Sequence, residues 1–339
     1  MKWRKSIFPN KKSRNNFIAL VGAICGLCIY IMGVWSPVRS DTSFVINSGD
    51  SVSSVAVSLR QKHIIYSESL FKLAVKRMGG RVQRGDYDIK RGASIWRLSR
   101  MFANGYVATT DIIIPEGYTI KQIKVLLSNA PRLTGDVECG AGNNAPVCNL
   151  HDGDVFPDTY RVAKGTPRLA VLDLARKKME KIRDSLMRAG YIIPRPLKTW
   201  GDVLTLASIV QRETPREVEM PIVASVYINR LRKNMRLQAD PTIVYAITDG
   251  YGDMQGAALL RGHLKVDSPY NTYTHNGLPP APIANVGTAA IRAVLRPADT
   301  NYLYFVADGN GGHIFSKSYD EHIKHHADWR EIKNARNKK

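Results

Sequence analysis

The sequence predicts a mixed α+β protein that begins with a single transmembrane helix. An uncharged apolar run occupies residues 17–35, short strands alternate with helices over residues 43–130, and longer helices and a terminal hairpin follow over residues 153–330. With 339 residues, 44% of them hydrophobic, the chain can bury the cores of two or three domains. This composition excludes a wholly disordered protein.

The apolar run FIALVGAICGLCIYIMGVW is the predicted transmembrane helix, residues 17–35. At about 1.5 Å per residue it nearly matches a hydrocarbon core of about 30 Å. The tail before it, residues 1–16, is basic and contains no acid, so the tail is expected in the cytoplasm and the rest of the chain outside. The alternative is a cleaved signal peptide, but the run exceeds the usual apolar length of about 7–15 residues and Trp35-Ser36-Pro37 is a poor cleavage site.

The net charge of +20 suggests an anionic surrounding, which could be nucleic acid, an anionic membrane or an acidic wall polymer. Placement outside the cytoplasm argues against nucleic acid, because most of the chain would never meet it. The lipid bilayer and a wall polymer are the partners that this charge predicts.

The four cysteines divide between two environments. Cys25 and Cys28 lie within the apolar run, where we expect them to face lipid or packed neighbours and not to form a redox pair. Cys139 and Cys148 flank a Gly/Asn-rich loop in residues 131–152, which we interpret as a junction or insertion. A disulfide closing this loop is expected in an oxidising compartment, and two free thiols are the alternative.

Short strands and helices follow a linker at residues 36–42. Asp50 is predicted as an N-cap, and glycines end several of the helices. Before the junction, strands are predicted at 43–49, 85–92 and 109–117, and helices at 50–61, 67–79, 93–105 and 118–130. After it, helices are predicted at 167–190, 202–214 and 221–232, a loop-rich stretch at 237–287, and a hairpin of strands 301–308 and 313–316.

The helix at residues 202–214 ends in an isolated carboxylate, Glu213. Most of its residues from Val203 to Val210 are apolar, so the helix is expected to be buried on most sides. Partial burial and the negative end of the helix dipole would both raise the pKa of Glu213. This is the environment of a general acid at neutral pH. The alternative is a solvated glutamate that pairs with Arg212 or Arg216.

Several long segments resemble the signature segments of the endolytic murein transglycosylase family, also called YceG-like. They are ASIVQRET, RLQADPTIVYA, SPYNTYTHNGLPPAPIANVG, YLYFVADGNGGHIFS and DVFPDTYRV. The resemblance implies a LysM-like module over residues 43–130 and a catalytic domain over residues 153–330 that cleaves peptidoglycan glycan strands. It also places the catalytic acid at Glu213, the second position of the family's E-x-E pattern, with Gln211 at the first.

The loops of these segments are rich in amide, hydroxyl and aromatic groups that can hold sugars, although polar loops can also be merely solvated. Asp158 and Asp240 adjoin prolines and are expected to fix turns and not to act as a second acid, and a structural role is the alternative for His313. No cofactor or metal is expected, since no carboxylate or cysteine completes a site with His322, His325 and His326, which are expected to form a solvated helix face. The predicted substrate-binding residues are Gln238, Asp240, Thr242, Tyr245, Asn271, Thr272, Tyr273 and His313.

One carboxylate suffices for the reaction that the resemblance implies, in which the C6 hydroxyl of N-acetylmuramic acid (MurNAc) attacks its own C1 and leaves a 1,6-anhydro end. Together with the predicted anchor, the resemblance implies an inner-membrane enzyme that cuts nascent strands internally outside the cytoplasm, beside peptidoglycan synthases, and ends their elongation. The alternatives are a non-catalytic wall-binding scaffold that recruits synthases, and a hydrolytic muramidase that uses water.

Overall fold

The computed structural model describes residues 11–34, 37–140, 145–254 and 256–336. It has the predicted mixed α+β composition, with helices surrounding small two-stranded sheets. The chain divides into two compact units. Unit 1 comprises Met1–Thr110 and Val162–Gly165, and unit 2 comprises Asp111–Arg161 and Thr166–Lys339.

The first helix, α1, runs from Lys11 to Val34 and covers most of the predicted membrane span. Among the helices that the structure describes, none is both long enough and apolar enough to cross a membrane. The structure therefore does not support the transmembrane helix predicted at residues 17–35. Residues 1–10 of the predicted cytoplasmic tail lie outside the described residues, as do the side chains of Cys25 and Cys28.

Unit 1 packs three helices against one two-stranded antiparallel sheet. Strands β1 (Thr42–Ile46) and β2 (Gly85–Ile89) pair antiparallel, and helices α2 (Val52–Gln61), α3 (Glu68–Arg77) and α4 (Ile95–Asn104) cover them. The aromatic rings of Phe44, Phe71, Tyr87 and Phe102 meet in its core. Each helix thus buries one apolar stripe against the sheet or its neighbours.

The cap of α2 differs from its prediction. Ser51, not Asp50, is the N-cap, and it exchanges hydrogen bonds with Ser54 in a capping box. The Asp50 carboxylate instead accepts the backbone N–H of Asn47 at 2.8 Å, which closes the preceding turn. That the module is LysM-like stays a prediction; its predicted range of 43–130 extends beyond the end of unit 1's first segment at Thr110.

Unit 2 contains the helices that follow α4 and the sheet of strands β5 and β6. Helix α7 is buried at every position from Val203 to Val210 and packs against α8 and α10 in the main core. The remaining strands of the chain are β3 (Thr109–Ile113) paired with β4 (Thr159–Ala163), and β5 (Tyr304–Ala307) paired with β6 (His313–Ser316). The helices are α5 (Ile120–Ser128), α6 (Arg168–Arg188), α7 (Trp200–Glu213), α8 (Met220–Arg232), α9 (Asp240–Ile247), α10 (Thr288–Leu295) and α11 (Tyr319–Arg336).

One disulfide and one buried asparagine side chain hold the loops of unit 2 in place. Cys139 and Cys148 form a disulfide across the Gly/Asn-rich loop. The wholly buried Asn285 joins three distant segments: its Oδ1 accepts the N–H groups of Gly153 at 3.0 Å and Val155 at 3.1 Å, and its Nδ2 donates to Tyr118 O at 3.0 Å. A side chain that satisfies this many buried backbone groups fixes the course of all three segments.

Candidate active site

Helix α7 delivers Glu213 to the edge of the core. Thr199 caps the helix, and its hydroxyl accepts the Asp202 N–H while the Asp202 carboxylate accepts the Thr199 N–H. The helix ends at Glu213, because Thr214 is extended and Pro215 follows. Glu213 therefore occupies the last position of a helix that is buried on all sides from Val203 to Val210.

The neighbouring arginines do not neutralise Glu213. Arg212 donates to the carbonyl oxygens of Gly117 and Gly252, and Arg216 pairs with Glu219 at 3.0 Å. Gln211 also points elsewhere, since its Oε1 accepts the N–H of Gly287 at 3.1 Å. The alternative of a solvated glutamate paired with either arginine is therefore wrong.

The Glu213 carboxyl is partly buried, and its Oε2 is wholly enclosed without a hydrogen-bond partner among the described residues. Burial raises the pKa of Glu213 to about 8, and the negative charge of Asp240 acts in the same direction. The Tyr227 hydroxyl and the positive charge of Arg230 oppose the shift in pKa. Glu213 is consequently protonated at neutral pH, as a general acid must be.

Glu213 lines a cavity of about 300 Å³ with a mainly polar and aromatic wall. Helix α8 contributes Tyr227 and Arg230, three residues apart on one helical face. The other lining side chains come from the start of α9, from the loop before α10, from β5 and from α11. They are Leu237, Gln238, Asp240, Tyr273, Phe305, Val306, His322 and His326.

Arg230 is held rigidly beside this cavity. It is buried, its Nε donates to Leu303 O at 2.6 Å, and its Nη1 donates to Leu237 O at 2.6 Å. The guanidinium also lies 5.2 Å from the ring centroid of Tyr304. Burial lowers the pKa of Arg230 from its ordinary high value. A fixed cation at this position can stabilise negative charge that develops on Glu213.

The opposite wall carries Gln238, Asp240 and Tyr273. The Tyr273 hydroxyl donates to Asp240 Oδ1 at 2.5 Å, so Asp240 serves the cavity and not only the turn predicted from its proline. Gln238 adopts a left-handed backbone with φ of 50°, which is uncommon for a residue other than glycine. Such strain concentrates at functional sites, where surrounding structure maintains it.

Five of the eight predicted substrate-binding residues lie outside this cavity. The Thr242 and Thr272 hydroxyls hydrogen-bond to each other at 2.9 Å, and Asn271 Nδ2 donates to Leu264 O and Val266 O. The Tyr245 hydroxyl donates to Asp152 at 2.7 Å, and His313 Nδ1 lies 2.9 Å from Glu219 Oε2. Gln238, Asp240 and Tyr273 line the cavity beside Glu213. Each of the other five residues instead hydrogen-bonds to a neighbour within the protein. A role of those five in binding substrate stays a prediction.

Sequence reasoning missed Tyr227, Arg230 and Phe305, and it assigned the histidines of α11 to a solvated face. His322 instead lines the cavity and stacks on Tyr304, with ring centroids 5.2 Å apart. Burial lowers the pKa of His322, and the positive charges of His326, Arg230 and His325 add to this effect. In the part of the chain that the structure describes, no cluster of histidine, cysteine and acidic side chains is arranged to hold a metal ion.

Comparison with known proteins gives this geometry a family context. Over 328 residues the chain is 29% identical to the endolytic murein transglycosylase of Bacillus subtilis, an alignment that covers 89% of each protein. It is 23% identical over 322 residues to the protein of the same name in Streptococcus pneumoniae, which covers 83% of this chain and 57% of that relative. The predicted enzyme class, a lytic transglycosylase, is the class that these names carry.

Among solved structures, a yceG-like protein from Listeria monocytogenes, crystallised and determined at 2.6 Å, is 28% identical to this chain. The superposition covers 84% of this chain and 99% of that chain, with a TM-score of 0.49. The model of the YceG-like family matches residues 44–328, which confirms the resemblance identified from the sequence segments. The chain belongs to the YceG-like family.

Proposed function

We propose that this protein is an endolytic lytic transglycosylase that cuts peptidoglycan glycan strands with Glu213 as its acid. The observation that carries the proposal is the unpartnered, enclosed Oε2 of a carboxyl group whose pKa is raised to about 8, placed in the wall of a polar cavity. The name of the Bacillus subtilis and Streptococcus pneumoniae relatives supports the same reaction.

In this reaction the Glu213 carboxyl donates its proton to the glycosidic oxygen between MurNAc and N-acetylglucosamine, and the bond from that oxygen to C1 breaks. The C6 hydroxyl oxygen of the same MurNAc then bonds to C1, and its proton returns to the Glu213 carboxylate. No water is consumed, and the enzyme regains its starting protonation state. The nucleophile is part of the substrate, so proximity supplies much of the acceleration.

The neighbours of Glu213 suit the charges that form. Arg230 stabilises the carboxylate that remains after proton donation, and the negative Asp240 favours the positive charge that develops at C1. Asp240 also provides the one observation that favours a muramidase instead, because hydrolytic glycosidases use two carboxyl groups. Its hydrogen bond from Tyr273 at 2.5 Å occupies Oδ1 and supports an electrostatic role.

The cellular setting forms a second part of the proposal. We place the N-terminus in the cytoplasm and the catalytic unit outside it, at the inner membrane, where cleavage would end the elongation of nascent strands beside peptidoglycan synthases. The basic tail and the apolar run at residues 17–35 support this placement, as does the Cys139–Cys148 disulfide, which is typical of oxidising compartments. Protease accessibility of unit 2 in intact spheroplasts tests the placement, and protection of unit 2 contradicts it.

Product analysis tests the reaction. The purified full-length protein is incubated with intact peptidoglycan, and the products are separated and identified by mass spectrometry. Internal cleavage products with 1,6-anhydro-MurNAc ends are expected. Reducing MurNAc ends would identify a muramidase, and unchanged peptidoglycan would favour the non-catalytic scaffold.

A further inference from the structure

A second cleft in unit 2, with a volume of about 620 Å³, is larger than the cavity at Glu213. Its wall includes Arg292 on α10 and Arg296, the residue that follows the last position of α10 and whose backbone N–H donates to Arg292 O. Glu116 and Glu217 line the same cleft from two other segments of the unit. The volume falls in the range of about 300–1,000 Å³ that is usual for small-ligand sites.

These four charged side chains share the cleft without neutralising one another. No ion pair within 4.0 Å joins either arginine to either glutamate, or to any other residue in the described ranges. Asp158, which also lines the cleft, differs because Lys178 pairs with it. The cleft therefore presents two cations and two anions that are separated and solvated, with capacity to bind complementary charges.

The chemistry of the wall specifies a ligand that carries both signs of charge. A guanidinium binds carboxylates with two parallel hydrogen bonds, and a carboxylate binds ammonium groups. The rings of Phe156 and Tyr191 add apolar contact surface between the charged groups. A short peptide with carboxylate and amine groups has this combination, whereas a neutral sugar chain has no charge to match.

The cleft is also close to the cavity at Glu213. Glu217 follows Glu213 by four residues in the non-helical connection between α7 and α8, and α8 carries Pro221 in the cleft and Tyr227 in the cavity. Pro221 and Tyr227 are six residues apart on this helix, which corresponds to about 9 Å along its axis. This separation is comparable to the size of a disaccharide, so a group attached to a sugar near the cleaved bond can reach the cleft.

We propose that this cleft binds the short peptide that MurNAc residues of the substrate carry, with Arg292 and Arg296 on its carboxylates and Glu116 and Glu217 on its amine. The inference rests on the proposed function, because it takes the glycan strand as the substrate at Glu213. It adds that the enzyme recognises the peptide as well as the sugar backbone, which selects strands whose peptides are still attached.

The test compares two substrates, glycan strands that carry their peptides and strands stripped of them by an amidase. Replacing both arginines in an Arg292→Ala/Arg296→Ala double variant should lower kcat/KM on peptide-bearing strands by about fivefold to tenfold, the usual effect of losing charged hydrogen bonds. Activity on stripped strands should stay unchanged. The Arg188→Ala variant, on the exposed end of α6, is the matched control and should leave both activities unchanged.

A binding measurement keeps the inference testable apart from catalysis. The free peptide should shift NMR signals of the wild-type protein, and Glu217→Gln should weaken binding of the free-amine peptide but not of its N-acetylated form. Equal losses on both strands in the arginine variant, or no peptide binding by the wild type, would overturn the inference. A wild type that produces no anhydro ends from either strand would instead refute the proposed function, so the two failures are distinct.

Discussion

Two glutamates at the junction of α7 and α8 have the same side chain and opposite environments. Glu213 ends α7 with an enclosed Oε2 that has no partner in the described part of the chain. Glu219 precedes α8, is only 8% exposed, and accepts hydrogen bonds from Thr214 Oγ1, Arg216 Nη1 and His313. One carboxyl group is left open toward a cavity, while the other is committed to the protein.

The difference shows that partners, and not burial alone, decide what a carboxyl group can do. Burial acts to raise the pKa of both groups. At Glu219 the hydrogen bonds from His313 and Arg216 outweigh burial and hold the pKa below its ordinary value. At Glu213 burial prevails and the pKa rises to about 8. Glu213 thus keeps a transferable proton, and Glu219 remains a charged anchor between α8 and the β5–β6 hairpin.

The largest expected effect is a loss of activity when Glu213 is replaced. Glu213→Gln removes the only proton that the proposed acid can donate, so we expect kcat to fall by about 10³-fold. Release of anhydro-muropeptides from peptidoglycan measures this loss, and the thermal unfolding midpoint should not decrease. Glu180→Gln, on the exposed face of α6, is the matched control and should retain full activity. Substantial activity in Glu213→Gln would remove Glu213 from the mechanism.

The second prediction concerns stability. Glu219→Gln removes the charge that His313 and Arg216 share, so we expect the free energy of unfolding to fall by about 1–3 kcal/mol. Urea denaturation at pH 7 measures the change, with Glu138→Gln, an exposed partner of Lys124, as a control that should change by less than about 1 kcal/mol. A Glu219→Gln variant as stable as wild type would show that the network does not anchor this junction.

The third prediction uses the opposite signs of the two pKa shifts. Between the ordinary value of 4.5 and about 8, the folded protein holds a proton on Glu213 that the unfolded chain releases, so this residue's contribution to stability falls as pH rises through that window. Glu213→Gln should therefore gain stability relative to wild type between pH 5 and pH 8, by roughly 3–4 kcal/mol, because each pH unit crossed in this window is worth about 1.4 kcal/mol.

Glu219 behaves in the opposite way, because its folded pKa is lowered: the stability it provides is present above its ordinary value and is lost as pH falls through the folded pKa. Urea denaturation of wild type and both variants from about pH 3 to pH 8 covers both windows and gives the comparison. A pH-independent difference between Glu213→Gln and wild type would contradict the raised pKa.

The smallest effect is expected at Gln211, where the family pattern has an acid. Its Oε1 accepts the Gly287 N–H, and a glutamate carboxylate can accept the same hydrogen bond. Gln211→Glu should consequently change kcat by no more than about twofold, since the group points away from Glu213. A tenfold gain in product release would show that position 211 takes part in the chemistry.

Local sequence signals predicted the longer elements well. Helix α7 was predicted from its apolar residues, although it begins at Trp200 and not at residue 202, and α4 was predicted from its apolar spacing and from Gly105, which ends it. Helices α9 and α10 were missed because each is short and neither has a side-chain cap hydrogen bond. Elements of this length depend on tertiary packing, which no local pattern reports.

The residues of the candidate site were also predicted only in part. The burial of α7 and its end near Glu213 can be read from the local sequence, but that pattern left a solvated glutamate open, and the resemblance assigned Glu213 as the acid. Tyr227 and Arg230 look like ordinary residues of an amphipathic helix. Thr242 and Asn271 resemble sugar-binding residues in composition, yet both are buried and bonded to backbone groups. Polar loop residues have the same sequence signature whether they face a ligand or support the backbone.

The position of Asn285 sets an order on how unit 2 can fold. Its side chain bonds residues that precede it by 132 positions at Gly153 and 167 positions at Tyr118. Contacts this distant in sequence form slowly, because the intervening chain must be closed into a loop first. During synthesis these contacts cannot form until residue 285 has left the ribosome. Until then, the backbone groups of Tyr118 and Gly153 lack the hydrogen bonds that the Asn285 side chain makes in the folded protein. Folding of unit 2 is therefore completed late, after most of the chain has been made.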